Sequence, residues 1–164
     1  MISLIFASHF VQLDIEHVQI EKSDEVEFSG FMLHAKWNEI YVGKAVCTFF
    51  DRKLLLGEIK VDEYYRPQWP MLHRLLTTFL IWPRKVPCRG KGIGTLLLRR
   101  VIAEARSNNI ECIYGSIIQG HLDRSPFLIN WYARNGFVVT EPDAECISNA
   151  IKKITLTITP DTTG

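Results

Sequence analysis

Alternating hydrophobic and polar residues are the main pattern in the first part of the chain, and a period of two is typical of half-buried β-strands. The first run covers 11–20, and its parity changes near Glu16 and His17, which predicts a β-bulge there. Three further runs, rich in β-branched and aromatic residues, cover 26–37, 40–50 and 54–61. The pattern predicts an antiparallel meander of four strands with no helix before its end.

Two segments in the second half of the chain show the three-to-four-residue period of an amphipathic helix. The clearer one is 93–108, which has a continuous apolar face. The other, 127–135, begins after Ser125-Pro126 and ends before Gly136, and these residue types commonly start and stop helices. Strands are predicted between and after the two helices, at 111–119, 137–140 and 151–159.

A further helix is predicted within 70–82, where proline precedes and follows an apolar stripe at helical spacing over 71–82. A stripe this broad fits a core helix, and it also fits one wall of a substrate groove or a homodimer contact. The order of elements is then strands, helix, helix, strand, helix, strand, strand. This order predicts one α/β domain over 1–164, built on a single mixed sheet with helices on its faces.

Composition and cysteine spacing narrow the classes of function. The 164 residues are 47% hydrophobic and 23% charged, as in an ordinary globular protein, and no stretch resembles a signal peptide or a membrane span. The four cysteines form no CxxC pair and no metal-ligand spacing with histidine. We therefore expect reduced thiols, a cytoplasmic location, no membrane partner and no bound metal.

Charge is distributed unevenly, although the net charge is only +1. Residues 12–63 carry 11 acidic and 6 basic side chains, whereas residues 66–106 carry 9 basic and 1 acidic. The local balance of +8 favours a phosphate-bearing ligand near 66–106. The balanced charge of the whole chain gives no special support to a nucleic-acid partner.

A glycine-rich turn lies inside this basic region, immediately before the predicted helix at 93–108. Its sequence is Cys88-Arg89-Gly90-Lys91-Gly92-Ile93-Gly94-Thr95. The first amides of a helix have no intrahelical acceptor and carry a partial positive charge, so a phosphate group fits there. Dinucleotide-binding and phosphate-loop folds are not supported, because Gly-x-Gly-x-x-Gly and Gly-x-x-x-x-Gly-Lys-Ser/Thr are both absent.

Two motifs together resemble the GNAT superfamily of acyl-CoA N-acyltransferases. The segment from Arg89 to Gly94 is similar to that family's Arg/Gln-x-x-Gly-x-Gly/Ala signature. The segment from Tyr132 to Phe137 is similar to its Tyr-x-x-x-Gly-Phe segment. The resemblance covers roughly 54–158 and implies a GNAT-like fold and an acetyltransferase that uses acetyl-CoA as cosubstrate.

The resemblance also implies roles for particular residues. In the family, the pyrophosphate of coenzyme A binds the amides of the glycine turn, and the preceding strand pairs with the pantetheine arm. An amide near the end of 54–61 would polarise the thioester carbonyl. Tyr132 would protonate the departing thiolate, at modest cost for ordinary pKa values of about 10 and 8.5. The implied cofactor-binding residues are Val61, Arg89, Gly90, Lys91, Gly92, Ile93, Gly94 and Thr95.

The acceptor amine needs a base, because an ammonium ion has no lone pair with which to attack. Glu58 is the first candidate, since the family often carries an acidic residue on this strand; Glu63, Asp62 and His121 follow. The simpler alternative is that Glu58 is only a solvated strand residue. Cys88 is not expected to be a nucleophile, because the family transfers the acyl group directly to the amine.

Two features depart from the family's pattern. The usual pair of helices after the first strand, which builds much of the acceptor site, has no counterpart in the sequence pattern. About 22 residues, 67–88, also separate the fourth strand from the glycine turn. We interpret them as an insertion that replaces the part of the acceptor site which the missing helices would form. The acceptor therefore stays open between a small-molecule amine and a peptide, a protein or an aminoacyl-tRNA. A non-catalytic acyl-CoA-binding or regulatory module is the alternative to an enzyme.

Overall fold

The computed structural model describes residues 15–23, 29–65 and 85–159. The beginning of the first predicted strand, the predicted helix at 71–82 and residues 160–164 lie outside the described residues. The described strands are β1 (Gln19–Ser23), β2 (Gly30–Trp37), β3 (Ile40–Phe50), β4 (Lys53–Val61), β5 (Tyr64–Tyr65), β6 (Val86–Pro87), β7 (Cys112–Ile118), β8 (Val138–Thr140) and β9 (Ala150–Thr157). The described α-helices are α1 (Ile93–Ser107), α2 (Gln119–Arg124) and α3 (Leu128–Arg134).

Seven of these strands form one mixed sheet in the order β1-β2-β3-β4-β7-β9-β8. Strands β1 to β4 are consecutive antiparallel neighbours, which confirms the predicted meander. Strand β7 lies parallel to β4, and β9 is inserted antiparallel between β7 and β8. The predicted mixed α/β architecture is therefore confirmed. Among the described strands of this sheet, β4 and β7 are the one parallel pair, and they lie at its centre.

The core lies on one face of this sheet, beneath α1. Side chains along β2 alternate between buried and half-buried, and Phe31, Leu33 and Ala35 are fully buried on the inner face. Helix α1 contributes the fully buried Leu97 and Val101 and packs across β2, β3 and β4. Each buried leucine or valine side chain contributes about 1.5–3 kcal/mol relative to an exposed one. The buried face of the strands, predicted from alternation, thus packs against the apolar face of the helix, predicted from its period of 3.6 residues.

Some element boundaries differ from the prediction. A 3₁₀ turn, Ile15–His17, stands where the parity change predicted a β-bulge, and β1 begins only after it. Helix α2 follows β7 without a break and was not predicted, because six residues are too few for a clear helical period. Helix α3 begins at Leu128 and not directly after Pro126, since Ser125 first accepts a turn hydrogen bond from the Leu128 amide.

The chain leaves the sheet after β4 and returns to the same place. Strands β5 and β6 form a separate two-stranded ladder, in which Tyr64 pairs with Pro87. The Cys88 amide then donates to the Glu63 carbonyl over 3.0 Å. Tyr65 packs edge-on against Trp37 of β2, with 4.7 Å between ring centroids. The ends of the insertion are therefore joined, and the glycine turn starts close to the end of β4. No helix in the described ranges is both long and apolar enough to cross a membrane.

Candidate functional site

A cleft opens where β4 and β7 separate. Their parallel ladder begins at Lys53 and Cys112 and ends at Leu55 and Tyr114. Beyond this point β4 continues along β3 to Val61, while β7 continues along β9. The facing edges of β4 and β7 are then no longer paired with each other, and their peptide groups line the gap between them.

A β-bulge in β4 lies at the start of the gap. In the β3–β4 ladder Val46 is paired with Glu58 and Cys47 with Leu56, so Gly57 is an extra residue on β4. A bulge increases the local twist and bends the strand that carries it. The bulge therefore turns β4 at the point where its pairing with β7 has just ended.

The cleft has a volume of about 440 Å³ and reaches from this bulge to the glycine turn. One wall is formed by 56–61 of β4, the other by 116–117 of β7 and by residues of α2 and α3. The turn residues 88–90 and 92–95 close one end. Among the described residues that line it, Lys60, Arg89 and Arg124 are cationic and Glu58 is anionic. The cleft therefore carries a positive balance and suits an anionic ligand.

The glycine turn has a left-handed backbone at two residues. Gly90 has φ of +75° and Gly92 has φ of +84°, a region that residues with a Cβ adopt at a cost. Gly92 is the N-cap of α1, and its carbonyl accepts the first helical hydrogen bond from the Leu96 amide over 2.9 Å. The amides of the first turn of α1 therefore point out of the helix toward the end of the cleft.

The cationic side chains of this turn are not equivalent. Arg89 lines the cleft, and its guanidinium lies 3.7 Å from the Glu63 carboxylate, measured from Nη1 to Oε1. Lys91 is not among the residues that line the cleft, although the turn carries it. Arg89 is thus the cationic residue of the turn that lines the cleft.

Tyr132 lies in α3 and is buried, with its side chain on the wall of the cleft. Its ring packs edge-on against Trp131 at 4.8 Å and Phe137 at 5.3 Å between centroids. No described residue is a hydrogen-bond partner of its hydroxyl. Burial raises the pKa of Tyr132, and the neighbouring Cys47 thiol adds to the effect. The hydroxyl is therefore protonated at neutral pH and is a weaker acid than an ordinary tyrosine.

Glu58 lies on the other face of the sheet. Its carboxylate forms an ion pair with Lys44 at 3.1 Å, and both side chains are partly exposed. Glu58 pairs with Val46, whereas Tyr132 lies beside Cys47, and consecutive residues of a strand point to opposite faces. Glu58 and Tyr132 therefore approach the cleft from opposite sides of the sheet.

The other candidate bases are placed differently. His121 in α2 lines the cleft. Asp62 and Glu63 do not line it; the Asp62 amide donates to the Val42 carbonyl over 3.0 Å, and the Glu63 side chain pairs with Arg89. Burial raises the pKa of the Cys88 thiol, which leaves it protonated and poorly nucleophilic.

The profile of the acetyltransferase (GNAT) family matches residues 3–137. The chain belongs to this family. No curated protein matches the sequence. Among solved structures, a GNAT acetyltransferase from Elizabethkingia anophelis with acetyl-CoA bound has a TM-score of 0.58 at 15% identity, covering 87% of this chain and 99% of that one.

Two other solved structures are similar to this GNAT chain. A GNAT-family acetyltransferase from Staphylococcus aureus MU50 has a TM-score of 0.54 at 19% identity, covering 79% of this chain and 69% of that one. The PaiA N-acetyltransferase from Thermoplasma acidophilum, in complex with coenzyme A, has a TM-score of 0.52 at 13% identity, covering 77% and 59%. At these identities the similarity shows the GNAT fold.

Several groups at this GNAT cleft could not be found from the sequence motifs. Gly57 within a strand pattern was the one available signal for the bulge. Trp131 lies beside the predicted Tyr132, and its indole Nε1 donates to the Thr95 hydroxyl over 3.1 Å. Arg124 reaches the cleft through α2, which showed no clear period. In the described ranges, no group of three His, Cys, Asp or Glu side chains is arranged to hold a metal ion.

Proposed function

We propose that this protein is an N-acetyltransferase that moves the acetyl group of acetyl-CoA to a primary amine by direct attack. The observation that carries the proposal is the cleft between β4 and β7, which joins a helix N-terminus suited to phosphate with a protonated, unpartnered Tyr132 hydroxyl. A long cofactor with an anionic middle and a reactive end matches this arrangement. Membership of the GNAT family supports the same chemistry.

The cofactor's pyrophosphate would bind at the glycine turn, to the amides of 89–95 and to Arg89. The helix dipole and unpaired amides there favour negative charge. The pantetheine arm would then run along the free edge of β4, where peptide groups of 57–61 face the gap. Val61 would contact the arm near the pyrophosphate, because the Val61 side chain lies against Gly94 of the turn.

The thioester would lie at the bulge and not at Val61. A strand rises about 3.3 Å per residue, so Val61 is roughly 13 Å along β4 from Gly57. Tyr132 lies beside Cys47, whose ladder partner is Leu56, next to Gly57. The amide that polarises the thioester carbonyl is therefore to be sought at 57–58, within reach of Tyr132.

In the reaction, the amine nitrogen bonds to the thioester carbonyl carbon, and the carbon–sulfur bond breaks. The thiolate takes its proton from the Tyr132 hydroxyl. The proton lost by the amine passes to Glu58, or to a water held by it, on the opposite face. The raised pKa of Tyr132 makes proton transfer to a thiolate costlier than ordinary pKa values suggest. The transfer thus relies on direct contact between the thiolate and the Tyr132 hydroxyl at the wall of the cleft.

Calorimetry with coenzyme A and a thiol-release assay with acetyl-CoA test this proposal directly. The assay compares small amines with lysine-containing peptides and free peptide N-termini. We expect binding, and release of coenzyme A that depends on an acceptor. Tyr132→Phe should lower turnover strongly with the affinity for coenzyme A preserved. Lack of binding at millimolar coenzyme A would refute the proposal, and binding without release for any acceptor would favour a non-catalytic acyl-CoA-binding module.

A further inference from the structure

The hydrogen bond between Trp131 and Thr95 connects the two ends of the cleft. Thr95 lies in the first turn of α1, at the glycine turn, and Trp131 precedes Tyr132 in α3. The indole Nε1 donates to the threonine Oγ1 over 3.1 Å, and the two residues are 36 positions apart in the chain. Both side chains line the cleft and are half-buried. A single side-chain contact therefore links the phosphate end to the helix that carries the tyrosine.

The indole of Trp131 also packs between three parts of the site. A Cβ added at Gly94 would lie 3.7 Å from Trp131 Cζ2 and 3.7 Å from Val61 Cγ2, so the tryptophan ring reaches the first turn of α1 near the end of β4. The same ring also meets the Tyr132 ring edge-on, at 4.8 Å between centroids. Displacement of the indole would change the surroundings of Tyr132 directly.

The Thr95 hydroxyl has capacity left for a ligand. A hydroxyl donates one hydrogen bond and accepts two, and Trp131 uses one acceptor site. The hydroxyl proton remains available to an oxygen of a phosphate bound at the helix N-terminus. Donation to such an oxygen would make Oγ1 a better acceptor for the indole N–H, because hydrogen bonds in a chain strengthen one another.

We propose that Thr95 and Trp131 are positioning residues, and that their hydrogen bond makes cofactor binding at the glycine turn order the helix that presents Tyr132. The inference rests on the proposed function for its catalytic consequence. It assigns neither residue a part in the bond-breaking step. Thr95 acts through Trp131, and Trp131 acts through its contact with Tyr132.

A double-mutant cycle separates this role from general packing. Thr95→Val keeps the shape and loses the hydroxyl, Trp131→Phe loses the N–H, and Thr95→Ser keeps the bond as a matched control. Steady-state kinetics use acetyl-CoA with a lysine-containing peptide or a small diamine, whichever supports turnover, and calorimetry gives the affinity for coenzyme A. We expect kcat to fall roughly fivefold in each of the first two variants and to stay near wild type in Thr95→Ser.

The combined Thr95→Val/Trp131→Phe variant should lose little more kcat than Trp131→Phe alone, because the bond is already absent in that variant. Trp131→Phe should weaken the affinity for coenzyme A only slightly, since Thr95 keeps its hydroxyl and loses only the cooperative effect of the indole N–H. Fully additive kcat losses, or an equal loss in Thr95→Ser, would overturn the inference.

Hydrogen exchange of the unliganded protein gives a readout that does not need turnover. Thr95→Val should speed exchange of the α3 amides more than that of the α1 amides, and Thr95→Ser should not. Unchanged α3 exchange in Thr95→Val would overturn the inference even if acetyl-CoA proved not to be the cosubstrate. Absence of coenzyme A binding by the wild-type protein, in contrast, would refute only the proposed function.

Discussion

The Phe137 amide donates a hydrogen bond to the carbonyl of Tyr132 over 3.1 Å, and the two rings pack edge-on with 5.3 Å between centroids. The hydrogen bond and the ring contact both span Gly136, which follows the last turn of α3 and has a φ of +88°. A left-handed residue at this position, with a hydrophobic contact across it, is a common way to end a helix. Here the cap also fixes the backbone and one side of the ring of Tyr132.

Replacing Gly136 with alanine should therefore affect both stability and turnover. An added Cβ meets only an ordinary contact, 3.5 Å from Leu156 Cδ1, so the cost is conformational. We expect the free energy of unfolding to fall by about 1 kcal/mol and kcat to fall with it. Urea unfolding and thiol release measure the two effects. Gly120→Ala, in α2 and with open space around it, is the matched control and should not destabilise the fold, because alanine is the better helix former.

The raised pKa of Tyr132 predicts a particular pH profile. The tyrosine acts in its protonated form, and burial keeps it protonated above the ordinary pKa of about 10. The kcat should therefore show no loss attributable to Tyr132 between about pH 8 and 10. Rates are compared for the wild type and Tyr132→Phe over this range at saturating acetyl-CoA. A fall near pH 10 that is present only in the wild type would contradict the prediction.

Alanine at either left-handed glycine of the turn should weaken binding of coenzyme A. Gly90→Ala introduces backbone strain alone, since an added Cβ has nothing within 4 Å. Gly92→Ala adds a close approach of 2.7 Å to Ile15 Cδ1, which must move as well. Relaxation of that strain would turn the amides away from the phosphate. We expect a loss of roughly fivefold in affinity for Gly90→Ala and a larger one for Gly92→Ala, measured by calorimetry. Equal affinity in both variants and the wild type would rule out this turn as the phosphate site.

Replacing Glu58 with glutamine should lower kcat by about 10²–10⁴-fold if the carboxylate is the base, with little change in the KM for acetyl-CoA. The lost rate should return partly at high pH, where more of the acceptor amine is already unprotonated. Lys44→Met is the matched control, because it removes the 3.1 Å ion pair but keeps the carboxylate. If Glu58→Gln and Lys44→Met behave alike, Glu58 is a surface residue and His121 becomes the next candidate.

The ion pairs around Lys153 should make stability depend on pH in the acid range. Lys153 bonds Asp143 at 2.6 Å and Glu145 at 2.5 Å, and this hydrogen bonding lowers the pKa of both carboxyls. A lowered folded-state pKa stabilises the fold above the unfolded value of about 4. That contribution is lost as the pH falls through the folded value.

Urea unfolding at several pH values between about 3 and 7 tests this dependence. The difference in stability between the wild type and Lys153→Met should shrink as the pH falls. Lys152→Met, which removes an exposed ion pair with Glu141, is the control and should change the acid dependence less. A difference that stays constant down to the lowest pH would contradict the assignment.

The fold was predictable where the pattern is local. The alternation along β2 and the apolar face of α1 follow from periodicity, because each element buries one face. The left-handed Gly136 was predictable for the same reason, since a helix end selects its residue type. The separation of β4 from β7 was not, because Leu55 and Tyr114 meet through a pairing between distant parts of the chain.

The candidate site was likewise predictable only in part. The glycine turn and Tyr132 stand in recognisable motifs, so their presence in one cleft could be expected. The partners that hold them could not, since a hydrogen bond between Trp131 and Thr95 depends on how two helices pack. The opposite placement of Glu58 and Tyr132 depends on a single extra residue, Gly57, which shifts the parity of β4.

The hydrogen bond between Glu63 and Cys88 and the pairing of Tyr64 with Pro87 hold the end of β4 beside the start of the glycine turn. A change in the number of residues between them therefore leaves the glycine turn at the same distance from the end of β4.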